Sequence, residues 1–82
     1  MYISQHAQQR MSQRGISKEM LNLTMEYGEL HHDKVIMSKK LALKTVRELE
    51  AKLQTAKKIL DKGGCVVVEA GAAVVTTYNF RP

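Results

Sequence analysis

No tryptophan occurs in this sequence, and aromatic residues make up only 5% of it. Any core must therefore be assembled from Leu, Val, Met and Ala, and in 82 residues such a core is thin. Burial of an exposed helix face in a dimer is the natural supplement. Cys65 is the single cysteine, which excludes an intramolecular disulfide and any zinc site built on a cysteine pair. In its valine-rich setting it is expected to act as a small buried hydrophobe. No apolar run approaches the roughly 20 residues that span a bilayer, and no secretory hydrophobic region opens the chain. These absences predict a cytoplasmic protein with no membrane partner. No internal repeat or low-complexity linker is visible, and a chain this short does not divide into two independent cores. Residues 1–82 are therefore expected to form one domain.

What is abundant is positive charge, and it is unevenly placed. The net charge is +5. Between Ser38 and Lys62 stand eight Lys or Arg against three Asp or Glu, while the remainder carries five of each. All of the excess therefore belongs to one segment. Such a surface attracts polyanions by neutralising phosphates and releasing counterions, which makes nucleic acid the expected partner class. A Lys-rich face that serves only solubility is the plainer alternative.

The apolar spacing predicts an α+β fold. A first helix is expected over residues 2–14, with Ser4 as N-cap and Gly15 as its stop. Ser17 caps a second helix, with Glu19 in its first turn and Met20, Leu23, Thr24 and Tyr27 as an inward stripe, ended at Gly28. Together they form a helical hairpin. One strand follows from Glu29 to Met37. Ser38 then caps a long basic central helix running to about Lys62. Within it Ala42, Val46, Leu49, Leu53, Ala56 and Leu60 make one apolar seam, while Lys40, Lys44 and Arg47 share another face at i, i+4 and i+7. The tail switches to β-rich runs, 65–69 and 73–80, with a turn at Gly71. The expected order is α-α-β-α-β-β, with a small antiparallel sheet that ends in a C-terminal β-hairpin.

The first helix holds the residues best suited to chemistry. His6, Arg10 and Arg14 stand at i, i+4 and i+8, in one stripe. Two permanent cations beside an imidazole suit a phosphodiester, because arginine stabilises phosphate charge and histidine passes protons near neutral pH. The structural alternative is that the arginines pair with Glu26, Glu29 or Glu69. His31-His32-Asp33 invites a metal reading, but adjacent strand residues point to opposite faces and no cysteine pair accompanies them. No metal site and no cofactor are expected. Gly63-Gly64 and Gly71 are explained as a helix stop and a turn.

The run His6-Ala7-Gln8-Gln9-Arg10-Met11-Ser12-Gln13-Arg14-Gly15-Ile16-Ser17 resembles H-A-x-x-R-M-x-x-R-G-I-[ST], the opening signature of a bacterial domain family related to RelE-type, barnase-like ribonuclease toxins. The resemblance implies a RelE-like fold acting on RNA without metal. It makes His6, Arg10 and Arg14 candidate catalytic residues and adds Tyr78 and Arg81 near the C-terminus. It also implies an antitoxin or other protein partner. The closing segment Tyr78-Asn79-Phe80-Arg81-Pro82 contains no histidine.

Three functional readings are open at this point. The first is an RNA-interacting protein, up to an endoribonuclease, in which Lys40, Lys44 and Arg47 hold the RNA backbone without reading sequence. The second is an RNA- or ribosome-binding module without turnover. The third is an interaction protein that forms a homodimer through the seam of its central helix.

Overall fold

The computed structural model describes residues 1–81. The elements in chain order are α1 (Gln5–Arg14), α2 (Lys18–Tyr27), β1 (Glu29–His31), β2 (Lys34–Ile36), α3 (Lys39–Asp61), β3 (Val66–Ala70) and β4 (Ala73–Tyr78). The fold is α+β, with a long central helix and a C-terminal β-hairpin. The chain divides into two compact units, Met1–Thr45 and Val46–Pro82, and the boundary falls within α3.

The helix starts follow directly from side-chain chemistry. Ser4, Ser17 and Ser38 each accept a hydrogen bond at 3.1 Å from the backbone N–H three residues on, at Ala7, Met20 and Leu41. Each satisfies a donor that has no partner within the helix. Because Ser4 is the cap, α1 begins at Gln5, three residues later than the expected start at Tyr2. Its other end closes in a Schellman motif. Gly15, at φ 67°, donates to the Ser12 carbonyl, and Ile16 donates to Met11 at 2.9 Å. The left-handed conformation costs glycine nothing, which is why the turn falls there. The same pair of bonds closes α3, from Gly63 to Leu60 and from Gly64 to Ile59.

In the first unit, the segment expected as one strand folds back on itself. Glu29 pairs with Ile36, Leu30 with Val35 and His31 with Lys34, in an antiparallel ladder. His32 and Asp33 make the turn, with His32 at φ 55°. The extended backbone was expected, but a reversal two residues long leaves little mark when neither turn residue is glycine. The strands accordingly form two separate two-stranded ladders, and the element order gains a strand.

Helix α2 packs on β2. Leu21, Thr24 and Tyr27 are its partly covered positions, whereas Met20 and Leu23 are exposed. The covered stripe is thus rotated from the expected one, sharing only Thr24 and Tyr27 with it. Gly28 explains how α2 and β2 come so close. Its backbone is extended (φ −69°, ψ 163°), so no left-handed turn demands a glycine. A Cβ there would instead lie 2.7 Å from Val35 Cγ1 and closer still to the Thr24 carbonyl oxygen. Gly28→Ala is expected to cost about 1–3 kcal/mol by overpacking. At roughly 4–8 °C per kcal/mol for a domain of this size, a melt followed by circular dichroism will show it. An unchanged melting temperature would mean that α2 and β2 do not approach this closely in solution.

In the second unit, β3 and β4 pair antiparallel from Val66↔Tyr78 to Ala70↔Ala73, with a bulge between Val68 and Glu69. Gly71, at φ 61°, turns the hairpin as expected. Beyond the bulge, Thr76 and Tyr78 lie on one face of β4 and Thr77 on the other, while Val75 is the residue left without a partner. Strand β4 ends at Tyr78, short of the expected Phe80. Beyond it the chain returns to the helix end, where Phe80 N–H donates to the Gly64 carbonyl at 3.4 Å.

Among the described residues no apolar side chain is fully buried, and the one buried residue is Thr45 on α3. Its hydroxyl donates to the Leu41 carbonyl at 2.9 Å. One sequence expectation changes here. Cys65 is exposed: it stands just before β3, and among the described residues nothing packs over this hairpin, whose own residues from Val67 onward are exposed as well. The seam of α3 is also open. Leu41 and Ala42 are half-covered, but Val46, Leu49, Leu53 and Leu60 are exposed, Leu53 to 51%.

Candidate nucleic-acid interface

Helix α1 contains no acidic residue. Its sequence QHAQQRMSQR places Ala7 and Met11, four apart, on a half-covered face. At about 100° per residue, His6, Gln9, Arg10 and Gln13 then fall together on the opposite, exposed side. These four line a shallow polar depression of about 250 Å³. The capping serine and the Gly15 turn hold both ends of the helix, so a rigid element carries the four side chains.

The structure therefore brings His6 and Arg10 together. Arg14 lies one turn further on, exposed, and does not line the depression. The expected alternative, pairing of the arginines with glutamates, is not formed. The one approach within 4 Å of a basic to an acidic side chain among the described residues joins His31 to Glu29 at 3.7 Å. Both guanidinium groups are therefore available to an external anion. No group of three or more potential metal ligands occurs among the described residues, and His32 stands in the turn, not the strand.

Tyr78 and Arg81 belong to the second unit. Tyr78 closes β4 opposite Val66. Arg81 lines an apolar groove of about 530 Å³ with Phe80 and the end of α3, including Ile59 and Leu60.

Lys40, Lys44 and Arg47 are exposed on one side of α3. On the helical wheel this side is opposite the seam of Val46, Leu49, Leu53 and Leu60. Lys58 falls in the same line, since the 18 residues from Lys40 make about five helical turns. Sequence reasoning missed Lys58, although that periodicity was available to find it. It missed Gln9 and Gln13 as well, because uncharged amides carry no signal until a shared depression groups them with His6 and Arg10.

A small α+β protein with two exposed basic helical faces is the class these features define. The chain belongs to the family described as Domain of unknown function (DUF4258), whose model matches residues 3–79. The run from His6 to Ser17 lies within the matched segment. No similar curated protein and no similar solved structure was found. Among the described residues no helix is long and apolar enough to cross a membrane.

Proposed function

We propose that this chain is a RelE-like, RNA-interacting protein that binds the phosphodiester backbone through α1 and the basic face of α3. The observation that carries the reading is the exposed, carboxylate-free face of α1, where His6 and Arg10 share a polar depression and neither arginine is paired. Unpaired guanidinium groups on a rigid helix suit phosphate oxygens. The basic face of α3 adds sequence-independent attraction.

His6 beside Arg10 favours an enzymatic form of this reading, a metal-independent endoribonuclease. His6 would take the proton of a ribose 2′-hydroxyl, and that oxygen would attack the adjacent phosphorus. The bond to the 5′ oxygen would break, the leaving oxygen taking a proton from water, to leave a 2′,3′-cyclic phosphate and a 5′-hydroxyl. Arg10 would stabilise the charge on the phosphorane, with Arg14, one turn further on, holding a neighbouring phosphate. The toxin role, with an antitoxin as partner, rests on the resemblance of the His6–Ser17 run. The test is anisotropy of a labelled single-stranded RNA, followed by gel analysis of the same mixture. Binding without cleavage would leave a non-enzymatic RNA- or ribosome-binding module. Absence of binding at low salt would end both forms.

The open seam favours a second copy of the chain as its cover. Dimerisation through Val46, Leu49, Leu53 and Leu60 would leave Lys40, Lys44 and Arg47 turned outward for RNA. Leu49→Asp with Leu53→Asp is expected to convert a dimer to a monomer in sedimentation, while α3 keeps its circular dichroism signal. A monomeric wild-type chain at high concentration would remove this part of the proposal.

A further inference from the structure

Helix α1 contains four glutamines, at positions 5, 8, 9 and 13. The Gln8 amide is engaged, donating to the Ile3 carbonyl at 3.2 Å. Gln9 and Gln13 instead line the depression with His6 and Arg10. A site that needed only to attract phosphate would be better served by lysine or arginine at these places. Carboxamides add no charge. Each offers an acceptor oxygen beside a donor nitrogen, a combination that matches a nucleobase edge.

We propose that the α1 depression accommodates one unpaired nucleotide of RNA, with Arg10 on its phosphate and Gln9 and Gln13 on the edge of its base. The base that fits best is adenine. Its N6 amino group carries two hydrogens, one beside the N1 acceptor and one beside N7, so two carboxamides can each make a bidentate pair with it, whereas the single N3–H of uracil and the one acceptor-flanked N4 hydrogen of cytosine serve only one. An unpaired base is required because a depression this shallow, on one convex helix, meets only a base turned out of its stack. The binding is therefore base-dependent at α1 and base-independent along α3.

This inference rests on the RNA-interacting reading, and the experiment separates the two. Fluorescence anisotropy is measured for eight-nucleotide RNA oligomers of A, U and C, with inorganic polyphosphate as a competing polyanion without bases. The wild-type chain is expected to bind the A oligomer about tenfold more tightly than the others, within the range of one bidentate base contact. The double variant Gln9→Ala, Gln13→Ala is expected to bind all three alike, with polyphosphate competition unchanged. Alanine is the better helix former, so α1 persists, which circular dichroism will verify. Equal affinity of the wild type for the three oligomers would overturn base recognition, while effective polyphosphate competition would still support a phosphate-binding face. Failure of every oligomer and of polyphosphate to bind would overturn the underlying reading as well.

Discussion

Replacing Lys40, Lys44 and Arg47 together by Glu is expected to weaken binding of unrelated single-stranded RNAs alike, by at least about tenfold near physiological salt. Each reversal removes one positive charge and adds one negative charge in a chain whose net charge is +5, and all three positions are exposed on one helical face. Phosphate neutralisation makes log affinity fall linearly with log salt, by about 0.7 per contacted phosphate on a single strand. Loss of three contacts should therefore flatten the salt slope by about 2. Both quantities come from one set of anisotropy titrations between low and moderate salt. Because the seam lies on the opposite side of α3, sedimentation of the variant should match that of the parent chain. An unchanged affinity and slope would assign these charges to solubility alone.

His6→Ala and Arg10→Ala are each expected to lower RNA cleavage at least about tenfold, the low end of what a positioned proton-transfer or charge-stabilising group supplies. Arg14 lies outside the depression, so Arg14→Ala should act more on binding than on turnover. The three side chains are exposed, and folding should survive every substitution, as thermal melts will show. A chelator should leave cleavage intact, since His6 and the arginines suffice for the proposed steps. If the wild-type chain binds RNA but produces no 2′,3′-cyclic phosphate under any of these conditions, His6 has no proton-transfer role. The α1 face is then a binding surface only.

Much of the local structure was legible in the sequence because it depends on contacts within a few residues. Ser4, Ser17 and Ser38 were readable as caps, since a cap needs one hydroxyl and the N–H three positions on. Gly15, Gly63 and Gly71 were readable as stops and turns. The reversal at His32 was not, because positive φ is uncommon for any residue but glycine and here accompanies the pairing of β1 with β2. Gly28 was readable as a helix stop, but its close approach to Val35 depends on where β2 lies.

The sequence by itself determined the class of fold, the three helix N-caps, the continuous apolar and basic faces of α3, and the stripe of His6, Arg10 and Arg14. All of these follow from periodicity and capping, which are properties of a single segment. Only the tertiary structure decided which faces are covered. It moved the covered stripe of α2, placed Cys65 in solvent, left the seam beyond Ala42 open and joined Gln9 and Gln13 to His6 and Arg10. Burial depends on what other segments contribute, and residue spacing can tell that a helix has an apolar side but not what, if anything, lies against it.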